Sequence, residues 1–189
     1  MTTSPTPVGL DAEELAHLGV AMAAQGRMEQ ALLYLKAAVQ QDPNSAQANY
    51  LLGAHYAQLG MQQRAADFMR RAAAINPELL MAAFQAGWLL MGMNKAGEAT
   101  QCWEPLFALP QEHPLHLFAR GLQALMNDDF ANCRDYLTQG VQANQSVPAL
   151  NDDMLKILGE LEQRGLTSAE DATASARHLN PGLGGYGPQ

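Results

Sequence analysis

Apolar residues along this chain recur three and four positions apart, the period of an amphipathic helix, and turn residues interrupt them at regular intervals. One stretch breaks the amphipathic rule. MAAFQAGWLLMGM, Met81 to Met93, carries a single polar side chain, Gln85. A helix that is apolar nearly all the way round is buried on every side, spans a membrane, or keeps a face open for a partner. The apolar run from Leu79 to Met93 is fifteen residues, flanked by Glu78 on one side and by Asn94 and Lys95 on the other. A spanning helix needs about 20. Membrane insertion is therefore not expected, and the choice lies between burial and a partner.

Written in lines of 34 residues from Ala12, the chain repeats itself. The eighth position is Gly19, Gly53, Gly87 and Gly121; the twentieth is Ala31, Ala65, Ala99 and Cys133; the twenty-fourth is Leu35, Met69, Trp103 and Leu137. Glycine at one position and a small residue at the other let two antiparallel helices approach closely. The turns between them read QGRMEQA, LGMQQRA, GMNKAGEA and NDDFANC, and Pro43 and Pro77 close the first two lines. Proline there stops one helix before the next begins.

This pattern resembles the tetratricopeptide repeat family, whose 34-residue helix pairs stack into a right-handed superhelix. The resemblance runs from Ala12 to Val147 and is clearest in the first two lines. It implies an all-α fold with four repeats, 12–45, 46–79, 80–113 and 114–147. A flexible amino terminus, 1–10, is expected to precede them. The segment 148–179 follows, where Leu150, Met154, Ile157, Leu158 and Leu161 form one stripe suited to a capping helix. Ser168 is placed to cap a further short helix, and a glycine-rich flexible tail, 180–189, ends the chain. Two residues depart from the pattern. Pro105 falls inside the second helix of the third line and predicts a kink or an end near Trp103, with LFALPQEHP as an irregular connection. Arg120 occupies a position that is apolar in the other lines, so it must reach solvent or an acidic partner.

Composition narrows the function. Apolar residues make up 48% of the chain and the formal net charge is −8. A folded chain of that charge does not suit a phosphate backbone, so a nucleic-acid partner is not expected. MTTSPTPVGL has no basic segment followed by an apolar run, which predicts no secretory signal and a cytoplasmic location. Cys102 and Cys133 fit neither metal nor redox spacing and read as core thiols. Glu112, His113 and His116 are a single cluster of metal-type residues, better suited to a helix start than to a zinc site. GLGGYG at 182–187 matches the dinucleotide-binding spacing but lacks the strand and helix that this chemistry needs. No metal, cofactor or enzymatic activity is expected. The excess of Asp152, Asp153, Glu160, Glu162, Glu170 and Asp171 over Lys156 and Arg164 reads as a solvated acidic face.

A second apolar stripe runs along the first helix of each line, at positions 2, 5, 9 and 12. Among its sixteen residues only Glu13 and Gln47 are polar. In the family architecture these positions face a concave groove, which makes Tyr50, Met81, Phe84, Trp88, Met91, Leu115, Phe118 and Leu122 the expected partner-binding residues. Aromatic and methionine side chains suit such a surface. The stripe has no lysine, arginine or asparagine to clamp a carboxylate, so the expected partner is a protein or peptide with apolar anchors. Size, acidity and groove are similar to the bacterial repeat chaperones that hold hydrophobic type III translocators before export. The alternative is a structural adaptor that self-associates through the stripe, for instance as a homodimer.

Overall fold

A computed structural model describes residues 9–145 and 147–166, which hold nine α-helices and no strand. These are α1 (Ala12–Ala24), α2 (Met28–Gln41), α3 (Ala46–Gln58), α4 (Gln62–Ile75), α5 (Leu80–Gly92), α6 (Ala96–Phe107), α7 (Pro114–Met126), α8 (Phe130–Ala143) and α9 (Pro148–Gln163). Helices α1, α3, α5 and α7 start 34 residues apart and each is 13 residues long. The described residues form two compact units that meet within α5, one ending at Leu90 and the other starting at Met91. Residues 1–8, the segment that Ser168 would cap and the tail 180–189 lie outside the described residues.

Local chemistry sets the helix ends. Asp11 and Glu14 form a reciprocal capping box at the start of α1, with both backbone-to-carboxylate bonds at 2.9 Å. Ser45 caps α3 by accepting from the Ala48 amide at 3.1 Å. The turns after α1, α3, α5 and α7 each place one residue in the left-handed region: Gly26 (φ +73°), Gly60 (φ +72°), Asn94 (φ +59°) and Asp128 (φ +57°). After α1 the Arg27 amide reaches back to the Met22 carbonyl, and after α3 the Met61 amide reaches the Tyr56 carbonyl, both at 2.9 Å. This closes the last turn of each helix and reverses the chain.

In the first unit α1 packs on α2, α3 on α4, and α2 and α1 both on α3. The repeated glycine explains the closeness. A Cβ at Gly19 would lie 2.6 Å from Leu35 Cγ, and one at Gly53 would lie 2.9 Å from Met69 Cγ and 3.1 Å from the Ala65 carbonyl oxygen. These contacts join the eighth, twentieth and twenty-fourth positions of the 34-residue pattern, as its spacing predicts. The second unit repeats the arrangement between α7 and α8. There a Cβ at Gly121 would meet Leu137 Cδ2 at 2.5 Å and the Cys133 carbonyl oxygen at 3.3 Å. Helix α9 packs on α8 and buries Leu150, Met154, Ile157 and Leu161, while its Leu155 stays exposed.

The two departures from the pattern resolve differently. Helix α6 does not end at Trp103 but continues through Pro105 to Phe107. Proline at 105 removes the bond to the Gln101 carbonyl and crowds that carbonyl, but the helix stops two residues later, so little regular helix is left to disrupt. It is 12 residues long against 14 for α2, α4 and α8. The irregular connection is thus confined to 108–113. Arg120 is only partly buried, so it keeps contact with solvent, and it also lies on an aromatic face: its guanidinium carbon is 4.2 Å from the centre of the Phe107 ring, and Nη1 donates to Gln123 Oε1 at 3.2 Å.

Candidate functional site

Ala82 to Met91 are all buried, so most of α5 is a core helix rather than an open face. Phe84 is 0% exposed and Trp88 4%, their rings tilted at 38° with centroids 6.2 Å apart along α5. Met91, Leu115, Phe118 and Leu122 are buried as well. Phe118 lies against α8, where a Cβ at Gly140 would be 2.5 Å from its ring. Six of the eight expected groove residues are therefore buried in this chain. Met81 is partly buried, and Tyr50 lines an open concavity.

That concavity is a hollow of about 200 Å³ in the first unit. Val20 and Ala23 of α1 line it with Tyr50, Ala54 and Ala57 of α3 and Gln85 of α5. Leu35 and Met69, the buried residues that fill the space over Gly19 and Gly53, contribute to its floor. Val20, Ala54, Ala23 and Ala57 are the first- and second-line members of the apolar stripe at positions 9 and 12. The corresponding third- and fourth-line members are Trp88 and Leu122, and Met91 and Leu125, all buried. At positions 9 and 12 the stripe thus borders a hollow where its side chains are small and is closed where they are large. Size, not apolarity alone, separates the two halves, and the run of small residues in the first two lines was the signal for it.

The polar groups around the hollow are committed to the protein. The His55 ring is 2% exposed, and its Nε2 lies 2.9 Å from the Met28 carbonyl oxygen. A ring nitrogen facing a carbonyl must carry the proton, so this bond ties α3 to the start of α2. The Tyr50 hydroxyl is pushed above its usual pKa by burial, against the opposing effect of its hydrogen bond with the Gln85 side chain. His55 Nδ1 and Gln85 Oε1 are buried atoms without a hydrogen-bond partner, and both are sealed from solvent. Among the described residues no aspartate, glutamate, lysine or arginine lines the hollow. Its wall is suited to holding an uncharged group, and no nucleophile–base pair is placed there to transform one.

Elsewhere the candidate chemistry resolves into structure. His113 caps α7, its Nδ1 accepting from the Leu115 amide at 3.2 Å, and His116 is buried. No group of three or more potential metal ligands occurs among the described residues. Burial, aided by the charge of Asp129, pushes the Cys133 thiol up to about 12. A thiol held protonated in this way is a core group rather than a nucleophile. No described helix is long and apolar enough to cross a membrane.

Comparison with known proteins agrees with this architecture. The TPR repeat family model matches residues 19–60. No curated protein matches the chain. Among solved structures, a crystal structure of MamA is 23% identical, covering 70% of this chain and 77% of that one with a TM-score of 0.60. Residues 41 to the end of MamA from Desulfovibrio magneticus are 19% identical, covering 89% and 100% with a TM-score of 0.60. PilF from Pseudomonas aeruginosa is 22% identical, covering 88% and 78% with a TM-score of 0.59. At these identities the likeness carries the fold: the described chain is all-helical and similar to tetratricopeptide-repeat solenoids.

Proposed function

We propose that this chain is a non-enzymatic protein-interaction module that recognises an apolar segment of another polypeptide through the hollow lined by α1 and α3. The observation that carries the reading is a concavity of about 200 Å³ without acidic or basic lining residues among those described, on a helical-repeat framework whose stripe residues Phe84, Trp88, Phe118 and Leu122 are buried. Repeat solenoids use concave surfaces of this kind for extended or helical ligands. The array is best divided as four repeats, 12–45, 46–79, 80–113 and 114–147, with α9 as the cap. A secretion chaperone would use the hollow to shield a client's apolar anchor before export, and a structural adaptor would use it to hold a fixed neighbour.

The test is a selection of random displayed dodecapeptides on the purified protein. Fluorescence anisotropy then compares the selected peptides on wild type and on Ala54→Met, after circular dichroism shows equal helicity. The expected binders carry apolar residues and lose at least about tenfold in affinity on the variant, because the added side chain occupies their space. Binders that ignore the variant place recognition elsewhere and overturn the reading.

A further inference from the structure

The hollow carries more information than its location, because the same chain shows what fills the corresponding space in its other repeats. At positions 9 and 12 the first two helix pairs have Val20, Ala23, Ala54 and Ala57, and among the described residues these line the hollow. The next two have Trp88, Met91, Leu122 and Leu125, whose exposures run from 0% to 8%. Where the chain supplies a large uncharged side chain, that side chain is buried. Where it does not, a hollow remains. Resting on the reading of this hollow as the interaction site, we infer that it is a socket for one large uncharged side chain of a partner polypeptide, aliphatic or single-ring, with Val20, Ala23, Ala54 and Ala57 setting its size.

Size and electrostatics both point to this occupant. An apolar cavity of about 150 Å³ is enough to take a benzene molecule, and the hollow measures about 200 Å³. A charged group entering it would lose hydration with no opposite charge on the wall. The surroundings already disfavour charge, since burial raises the Tyr50 hydroxyl above its ordinary pKa. Nor does the occupant need to bring a hydrogen bond. His55 Nε2 and the Gln85 amide are committed to Met28 and Tyr50, and the two leftover polar atoms are closed to solvent. The anchor is therefore selected by volume and lack of charge.

A matched series of single-ring probes tests the inference on the full chain: toluene, benzylammonium and benzoate, titrated against protein with ¹³C-labelled alanine and valine methyls. Toluene is expected to shift the Val20, Ala23, Ala54 and Ala57 methyls saturably, with the charged rings weaker by at least about tenfold. Ala54→Met and, separately, Ala57→Leu, each checked for wild-type helicity, are expected to abolish the toluene response. Two variants keep the test decisive if one of them misfolds. Charged rings binding as well as toluene would leave the hollow as a binding site but overturn its selectivity, and with it this inference alone. Absence of a saturable shift at these methyls, or its survival in both filled variants, would overturn the socket itself. The peptide selection still judges the interaction reading independently.

Discussion

Replacing Gly53 by alanine tests the physical basis of the repeat. In an ordinary helix interior this change stabilises by about 0.5–1 kcal/mol, because glycine loses more backbone freedom on folding. At Gly53 the new Cβ would stand 2.9 Å from Met69 Cγ, 3.1 Å from the Ala65 carbonyl oxygen and 3.2 Å from the Met69 amide nitrogen. Carbon atoms rest at about 3.5–4.0 Å. Met69 is only 2% exposed and cannot swing away, and the other two atoms are backbone. Helices α3 and α4 must therefore separate, and overpacking of this sort costs about 1–3 kcal/mol. The net expectation is a loss of about 1–2 kcal/mol, a fall in Tm of about 3–6 °C for a chain of this size. Gly159 in α9 is the control, since a Cβ there meets nothing within 4 Å. The same substitution at Gly159 is expected to raise Tm by about 2 °C. Thermal melts followed by circular dichroism read both. If Gly53→Ala is as stable as wild type, or if the two glycines respond alike, the close approach of α3 and α4 does not require glycine and the reasoning fails.

Three further outcomes follow from local geometry. Asp128 sits at φ +57° in a turn whose counterparts at 26 and 60 are glycines, so Asp128→Gly is expected to stabilise by about 0.5–1 kcal/mol in urea unfolding, and a loss would mean that its side chain holds the turn. Asp11→Ala removes the acceptor half of the capping box on α1 and is expected to cost about 1 kcal/mol, read as a lower urea midpoint at unchanged m; no change would show that the cap is idle. With the Cys133 thiol pushed up to about 12 by burial from a usual 9.0, the folded state keeps its proton where the unfolded chain loses it. Its contribution is complete below pH 9 and is lost as pH rises from there to about 12. At pH 8 iodoacetamide is accordingly expected to alkylate Cys133 only after unfolding, and modification of native protein there would refute a protonated core thiol.

The helical fold was largely legible in the linear pattern. Gly19, Gly53 and Gly121, with Ala31, Ala65 and Cys133 opposite them, announce close helix pairs, because a missing side chain is a local fact written at one position. The turn residues are similarly local, down to Asn94 and Asp128 standing where Gly26 and Gly60 stand. Pro105 was read too strongly, since its effect depends on how much helix follows it. The site was less legible. The apolar stripe can be read along the helices, but periodicity ranks its members by hydrophobicity, which favoured Phe84, Trp88 and Phe118. Large apolar side chains gain most by burial and were placed inside, whereas Val20, Ala23, Ala54 and Ala57 are too small to fill the space between their helices. Exposure is a sum over neighbours from several helices, and no single stretch contains that sum. The sequence alone determined the repeat and its largely apolar stripe; only the tertiary structure decided which part of the stripe became core and which became an opening.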